Sequence, residues 1–278
     1  MRYRAALAQL NCSDDPAANL PLTEALVREA AAGGAALVLT PEVTNIVSAS
    51  RTQQRAVLCR EEADPTLARL RAVAAEVGIW LSIGSLALQS GADERFVNRQ
   101  FLIAPDGAIA ARYDKIHMFD VALGGEESYR ESAGYRPGER AVVAHTPLGR
   151  LGLTICYDMR FPALYGAVAR AGAEVITVPS AFTVPTGRAH WAVLLRARAI
   201  ETGCFVLAAA QVGTHAATRG RVRQTWGHSL AVAPWGEIIA EADGERPGVT
   251  FAEIDLAQVT EARTRIPSLT NTRPFTTP

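Results

Sequence analysis

The stretch FLIAPDGAIA at residues 101–110 reads as a strand, a tight turn and a second strand, and LAVAPWGEII at residues 230–239 repeats that order. Proline presets φ at the second position of such a turn, and glycine supplies the positive φ at which the chain reverses. When the two stretches are aligned, their proline, glycine and following isoleucine coincide. This pattern favours two similar halves that form two sheets packed face to face, with helices outside. Coincidence between two common hairpins is the alternative.

Short apolar runs alternate with alanine-rich helical segments around these hairpins. Runs of this kind are typical of strands buried on both faces, and a glycine beside each helix end can take the left-handed cap conformation. The alternation predicts an α/β fold, and no linker divides it, so residues 1–278 are expected to form one domain. The predicted strands are 4–10, 35–39, 79–86, 150–155, 174–178 and 204–210, and the predicted helices are 16–32, 65–77, 163–171 and 189–202.

The composition limits the classes of function. The 28 basic and 28 acidic residues leave no net charge, so nothing favours binding to nucleic acid or to an anionic membrane. No apolar run approaches the ~20 residues that a membrane helix needs, and the first ten residues are a poor signal peptide. The four cysteines form no CxxC pair, which argues against a disulfide framework and a zinc knuckle. We therefore expect a cytoplasmic protein that acts on a small polar molecule.

Three reactive side chains follow predicted strands. Cys156 comes directly after strand 150–155 and opens the motif CYDMRFP, and Glu42 comes shortly after strand 35–39. Ligands bind beyond such strand ends in open α/β sheets. Lys115 lies in YDKIHMFD, where its apolar neighbours argue against a simple solvated surface and a buried charge needs a partner. The alternatives are a cysteine that only packs, a glutamate that caps a loop and a solvated lysine.

Taken together, these contexts resemble the Glu/Lys/Cys triad of the nitrilase superfamily of carbon-nitrogen hydrolases. The resemblance is closest to the amidase branch that contains deaminated-glutathione amidase and omega-amidase. It implies a four-layer α-β-β-α sandwich, a homodimer and a second active-site glutamate at Glu131. The similarity covers nearly the whole chain, and it continues through VPSAF, TGRAHW, LLRARAIE and WGHS at residues 178–182, 186–191, 194–201 and 226–229.

The chemistry of amide hydrolysis explains why these residue types occur together. Glu42 would accept the thiol proton of Cys156, which then attacks the amide carbonyl as a thiolate. Lys115 would lower the pKa of the cysteine and stabilise the tetrahedral oxyanion, with the backbone N–H of Tyr157 as a second donor. Glu131 would position Lys115 or the substrate amide. This mechanism uses no metal and no organic cofactor.

Two arginines are the candidates for binding a carboxylate on the substrate. Arg160 follows the nucleophile and Arg188 lies in the segment around TGRAHW, and a guanidinium fork suits a carboxylate. The alternatives are an ion pair of Arg160 with Asp158 or Glu201, and solvation of Arg188. The resemblance implies short amides of dicarboxylic or 2-oxo acids, or deaminated glutathione. The remaining candidates for substrate binding are Phe182 and Thr183.

Other functions stay open at this stage. A Cys/His hydrolase would use His117, His190 or His228 as the base. A metal hydrolase is less well supported, because no H-x-x-H or H-E-x-x-H pattern occurs. A nitrilase or another aliphatic amidase would use the same triad on a different substrate. The alternative from another class is a catalytically inactive dimeric binding scaffold that kept a buried cysteine.

Overall fold

A computed structural model describes residues 1–91, 93–123 and 128–276. The strands are β1 (Arg2–Gln9), β2 (Leu37–Leu39), β3 (Trp80–Gln89), β4 (Phe96–Ile103), β5 (Ile109–Asp114), β6 (Asp120–Ala122), β7 (Ser128–Arg130), β8 (Val142–Thr146), β9 (Gly149–Leu153), β10 (Val175–Thr177), β11 (Phe205–Ala208), β12 (Val212–His215), β13 (Arg223–Trp226), β14 (Leu230–Val232), β15 (Ile238–Glu241) and β16 (Gly248–Asp255). The α-helices are α1 (Pro16–Ala32), α2 (Arg51–Val57), α3 (Pro65–Val77), α4 (Pro162–Arg170), α5 (Val184–Thr202) and α6 (Ala257–Arg265).

Two six-stranded sheets share one topology. The first has the order β16-β1-β2-β3-β4-β5, and the second has the order β8-β9-β10-β11-β14-β15. In each sheet, counted in these orders, the second, third and fourth strands run parallel to one another. The first strand pairs antiparallel with the second, the fifth with the fourth, and the sixth with the fifth. Each of the two predicted hairpins forms that final antiparallel pair, with Gly107 and Gly236 at positive φ. The repeat seen in the sequence is therefore a repeat of structure.

The sheets pack against each other and are flanked by helices. One apolar cluster joins Leu7 and Leu39 of the first sheet to Leu153 and Val206 of the second. A separate cluster packs α1 and α3 on the first sheet, whereas α4 and α5 cover the second through the cluster between the sheets. This arrangement confirms the predicted α/β sandwich.

Helix boundaries follow local capping signals. Asp15 and Asp64 accept hydrogen bonds from the first turns of α1 and α3, and a proline opens each helix, as predicted for residues 16–32 and 65–77. The prediction for α5 was wrong at its start, because the helix begins at Val184 rather than at residue 189. Pro185 suits a first helical turn, because the N–H groups there have no partner within the helix and proline lacks that group. None of the helices in the described residues has the length and apolar character needed to cross a membrane.

Candidate active site

The structure brings the three predicted reactive side chains into one cavity of about 420 Å³. Glu42 lies in the turn after β2, Lys115 follows β5, and Cys156 opens a short 3₁₀ turn after β9. All three are almost completely buried, with 5%, 2% and 6% of their surface exposed. Strands of both sheets end at this edge of the sandwich, which explains how residues so distant in sequence meet.

Lys115 connects two carboxylates. Its Nζ atom donates to Glu42 Oε1 at 2.7 Å and to Glu131 Oε1 and Oε2 at 3.0 and 2.9 Å. Burial lowers the pKa of Lys115, but the negative charges of Glu131 and Glu42 outweigh it and hold this pKa well above its ordinary value. Lys115 is the only lysine in the chain, since every other member of the 28 basic residues is an arginine. The compact ammonium of this lysine lies between two buried carboxylates.

Glu42 is held as a carboxylate. Burial raises its pKa, but the charge and hydrogen bond of Lys115 outweigh that effect, so the pKa lies below its ordinary value. The backbone N–H of Ala181 donates to Glu42 Oε2 at 2.9 Å, and Asn98 Nδ2 donates to Oε1 at 2.9 Å. These bonds fix the carboxylate beside the thiol, where it can accept a proton.

The thiol of Cys156 is neutral in this arrangement. Burial and then the negative charge of Glu42 raise its pKa, and the opposing effect of Lys115 is smaller. The positive charge of Lys115 does lower the pKa of the cysteine, as expected, but burial and the charge of Glu42 outweigh this effect. A side-chain hydrogen bond joins the thiol to Glu42. The geometry thus suits proton transfer to Glu42 during attack rather than a thiolate formed beforehand.

The backbone at Cys156 is strained. Its φ is +48°, in a left-handed region that non-glycine residues seldom adopt. The Cys156 N–H donates to the Pro179 carbonyl at 2.9 Å, and the Asp158 carboxylate accepts from Ile155 N–H at 2.9 Å. Among the described residues, no acceptor pairs with the next amide, that of Tyr157. The turn therefore presents a side chain and a backbone donor at one place.

Glu131 and Asn98 complete the polar set. Glu131 begins a short 3₁₀ turn after β7, and its Oε2 also accepts from Phe119 N–H at 2.6 Å. Asn98, in β4, was not predicted from the sequence. Its carbonyl accepts from Lys115 N–H at 2.9 Å, and its Oδ1 is buried without a partner among the described residues. Asn98 lies before the predicted hairpin stretch 101–110, in a part of β4 that was not predicted, so no pattern in the sequence marked it.

The structure separates the four predicted substrate-binding residues. Phe182 and Thr183 line the cavity, whereas Arg160 and Arg188 lie outside its lining. Arg160 lies over the rings of Tyr157 and Phe182, and Arg188 over the ring of Trp226. The alternative ion pairs of Arg160 do not form in the described structure. The carboxylate of Asp158 binds Tyr113 and His117, and that of Glu201 binds Arg198.

Other arginines line the cavity instead. Arg51, Arg130, Arg221 and Arg223 surround its outer part and come from three separate segments of the chain. Sequence reasoning missed all four, because no motif links α2, the end of β7 and the β12–β13 hairpin. Arg51 donates to the carbonyl of Ala133 at 2.8 Å, which joins two of these segments.

The histidines do not support a Cys/His mechanism. His117 pairs through Nδ1 with Asp158 at 2.7 Å, and His228 Nδ1 lies 3.3 Å from Glu241. Neither of these residues nor His190 lines the cavity that holds Cys156. Within the described residues, no three His, Cys, Asp or Glu side chains are grouped as metal ligands.

Comparison with known proteins adds an independent line of evidence. The family model described as carbon-nitrogen hydrolase matches residues 4–264. The deaminated glutathione amidase of Yersinia enterocolitica is 41% identical over 273 residues, which cover 96% of this chain and 92% of that protein. Nit3 of Saccharomyces cerevisiae, a member of branch 10 of the nitrilase superfamily, is 31% identical with a TM-score of 0.85 and covers 99% of this chain and 97% of its own.

A third relative is an amidase from Nesterenkonia sp. AN1. Its structure is 30% identical with a TM-score of 0.77, and the match covers 95% of this chain and 98% of that one. That crystal is of a glutamate-to-glutamine mutant and shows the Michael addition of acrylamide at the active-site cysteine.

Proposed function

The chain belongs to the carbon-nitrogen hydrolase family and is an amide-hydrolysing enzyme, and from this premise we propose that it cleaves a small carboxylate-bearing amide through a thioester on Cys156. The observation that carries the proposal is the contact of one buried carboxylate, Glu42, with both the Lys115 ammonium and the Cys156 thiol. A binding scaffold would have no need for three buried reactive groups in a cavity, so the non-catalytic alternative loses its support.

In the first step, Glu42 takes the thiol proton while Cys156 Sγ bonds to the carbonyl carbon. The carbonyl π electrons move to oxygen, which becomes an oxyanion. The Lys115 ammonium and the backbone N–H of Tyr157 are the proposed donors to this oxygen. Such donors matter because the removal of one typically slows a reaction by about 10²- to 10³-fold.

In the second step, the C–N bond breaks and its electron pair leaves with the nitrogen, which takes the proton from Glu42. The product that stays is a thioester on Cys156. Glu42, again a carboxylate, removes a proton from water, and the hydroxyl adds to the thioester carbonyl. Collapse releases the carboxylic acid and returns the proton to the Cys156 sulfur. Glu131 holds Lys115 in place throughout, because both of its carboxylate oxygens accept from Nζ.

For the substrate, we propose deaminated glutathione or an omega-amide of a 2-oxo acid. The 41% identity with a deaminated glutathione amidase and the four arginines around the cavity support a carboxylate-bearing ligand. The leaving group distinguishes the two substrates, since an omega-amide releases ammonia and deaminated glutathione releases a dipeptide amine. Both release a 2-oxo acid. A nitrilase or another aliphatic amidase is the alternative, for which the likeness to the Nesterenkonia amidase is the argument.

An amide panel with two readouts tests this function. The panel contains deaminated glutathione, 2-oxoglutaramate, 2-oxosuccinamate, glutamine, asparagine, simple aliphatic amides and the matching nitriles, with 2-oxo acid and ammonia measured separately. We expect hydrolysis of the 2-oxo amides and a loss of at least about 10⁴-fold in Cys156→Ala. Rapid-quench mass spectrometry should show the acyl group on the wild-type protein.

Cys59→Ala is the matched control, because Cys59 is a free cysteine that does not line the cavity. Hydrolysis that persists in Cys156→Ala overturns the thioester mechanism. Turnover of aliphatic amides or nitriles alone, without turnover of any 2-oxo amide, overturns the substrate assignment and favours the alternative.

A homodimer is also proposed. Val193 and Ile200 lie one above the other along α5 and are 67% and 51% exposed, and Phe275 in the C-terminal tail is 88% exposed. Exposed apolar side chains that share one face of a helix, as Val193 and Ile200 do, mark interaction surfaces. Light scattering after gel filtration should give twice the mass of the 29.7 kDa chain. A mass equal to one chain would contradict the proposal.

A cytoplasmic location is proposed on the basis of the cysteines. All four are free, whereas proteins of oxidising compartments commonly form disulfides. Fractionation of the native host with an antibody against the chain tests this location. Recovery in a secreted or membrane fraction would contradict it.

A further inference from the structure

The outer part of the catalytic cavity is strongly positive. Among the described lining residues, the charged groups besides Lys115 and its two carboxylate partners are Arg51, Arg130, Arg221 and Arg223. The charges of Glu42 and Glu131 offset that of Lys115, so these four guanidinium groups set the charge that the described part of the lining presents to an entering ligand. A cavity of this kind favours an anionic ligand.

Two of these arginines form a pair on the β12–β13 hairpin. Arg223 begins β13, and Arg221 lies two positions earlier, so both approach the same aromatic surface. Their guanidinium carbons lie 5.1 and 6.0 Å from the ring centre of Tyr129, with Arg221 the nearer. Stacking on an aromatic face orients a guanidinium plane while it leaves the edge N–H groups available.

This pair has no acidic partner in the described part of the chain. The described ion pairs include neither arginine, whereas Arg99, on a nearby strand, pairs with both Glu61 and Asp114. Arg223 donates one long bond, 3.5 Å, to the carbonyl of Ala181, and its Nε is buried with no acceptor among the described residues. A buried N–H without an acceptor is costly, so a ligand oxygen at this point would be favoured.

The pair lies close to the reacting groups. The backbone of Ala181 connects Arg223 to them, because its carbonyl accepts from Arg223 and its N–H donates to Glu42 at 2.9 Å. Arg221, Arg223 and Cys156 line one cavity, so a single small molecule in it can present a carboxylate to the arginines and an amide to Cys156. Arg160 and Arg188, the arginines expected from the sequence, have no such connection.

We propose that Arg221 and Arg223 form a carboxylate-binding subsite of the catalytic cavity and select amides that carry a free carboxylate. The inference rests on the proposed amidase function and assigns its specificity to the hairpin. A guanidinium fork can bind both oxygens of one carboxylate, and charge-assisted bonds of this kind are stronger than neutral ones. The carboxylate can belong to the acyl half of the substrate or to its amine half, and the two sources are separable.

Two pairs of substrates separate these sources. For the acyl half, 2-oxoglutaramate is compared with 4-oxopentanamide, in which a methyl group replaces the carboxylate. For the amine half, deaminated glutathione is compared with its C-terminal amide. In the wild type, the kcat/KM ratio of acid to neutral partner should exceed about tenfold in at least one pair. In Arg221→Gln and Arg223→Gln that ratio should fall towards one, mainly through KM.

Arg219→Gln is the matched control. Arg219 is an exposed arginine of the same hairpin that does not line the cavity, so its substitution should keep the ratio of the wild type. Arg223→Lys serves as a second variant. It retains the charge without the planar fork and should recover only part of the ratio. Thermal unfolding by circular dichroism checks that each variant folds.

Measurements of binding without turnover test the subsite independently of catalysis. Calorimetry on Cys156→Ala measures the affinity for each substrate of the two pairs. The same titrations are repeated on double variants that combine Cys156→Ala with Arg221→Gln or with Arg223→Gln. If the wild type hydrolyses no amide but binds the acids at least about tenfold more tightly through these arginines, the proposed function fails and the subsite stands. If amides are hydrolysed with no preference for the acids, or with a preference that survives both substitutions, the subsite is overturned.

Discussion

The floor and the rim of the cavity differ in how their charges are satisfied. The floor consists of Glu42, Asn98, Lys115, Glu131 and Cys156, and the rim consists of Arg51, Arg130, Arg221 and Arg223. In the floor, every charged group has a charged partner within 3.0 Å and is shielded from water. In the rim, the guanidinium groups are exposed or half-buried; that of Arg51 donates to a carbonyl, those of Arg221 and Arg223 lie over a ring, and none of the four forms an ion pair within the described residues. The floor is thus organised for chemistry before a ligand arrives, whereas the rim has donors left for the ligand.

Glu42→Gln tests the floor and should have the largest effect on the rate of hydrolysis. The amide keeps the shape of the side chain but cannot accept the thiol proton, so kcat should fall by about 10³-fold or more. Loss of the Glu42 charge removes one cause of the raised pKa of Cys156, but burial still raises it, so alkylation by iodoacetamide near neutral pH should also slow because the neutral thiol has lost its proton acceptor. Steady-state kinetics and mass spectrometry of the alkylated protein measure the two effects.

Glu62→Gln is the control for that substitution, since Glu62 is exposed and remote from the cavity. If Glu42→Gln hydrolysed amides at a rate within about tenfold of the wild type, the floor would not contain the base.

The second largest effect should be on stability, from Lys115→Met. This change leaves Glu42 and Glu131 buried without their cation, and breaking such a pair typically costs about 3–5 kcal/mol of the free energy of unfolding. Because the pKa of Lys115 is raised, its contribution is fully present below the ordinary value of 10.5 and is lost only as the pH rises through the higher folded value. Urea unfolding at pH 7 measures the loss.

Arg95→Gln provides the comparison on the surface. Arg95 pairs with Asp93 at 2.8 Å, but both side chains are exposed and screened by solvent, so its loss should cost much less stability than the loss of Lys115. Equal losses in the two variants would mean that the buried network does not stabilise the fold.

The same contrast explains what the sequence could predict. Glu42, Lys115 and Cys156 follow strands or a hairpin directly, so their meeting depends on the order of elements, which apolar periodicity and Pro-x-Gly turns indicate well. Lys115 is also the only lysine among 28 basic residues, and this singular position was a further signal of a special role. The rim depends instead on how surface segments distant in sequence fold over the cavity. Arg223 has a partner in Tyr129 only because two hairpins meet there, and no local pattern records that contact.

A smaller effect is expected from Asn98→Asp, which places a third carboxyl group beside Lys115. The pKa of Glu42 lies below its ordinary value of 4.5, so the acid limb of kcat/KM in the wild type should lie below that pH. The negative charge of the introduced carboxylate should raise the pKa of Glu42 and shift the acid limb upwards by about one pH unit or more, so the loss of kcat/KM should be largest on the acid side and small at neutral pH, where Glu42 stays ionised. Profiles between about pH 4 and 9 measure the shift.

Asn98→Ala is the matched variant. It removes the bond to Glu42 Oε1 without adding a charge, so it should lower kcat while the acid limb moves much less than in Asn98→Asp. Identical pH profiles for the two variants would show that Asn98 does not act through the charge of Glu42.

The smallest effect is expected from Arg160→Gln, although Arg160 lies within the motif of the nucleophile. Its guanidinium packs 5.9 Å from the ring centre of Tyr157 and 5.4 Å from that of Phe182 and does not reach the cavity lining. Loss of such a contact should change kcat/KM for 2-oxo amides by less than about threefold, whereas Arg223→Gln should change it by at least about tenfold. Assays on one substrate series compare them directly. A larger effect from Arg160 than from Arg223 would return carboxylate recognition to the nucleophile loop and would leave the rim without a role in selectivity.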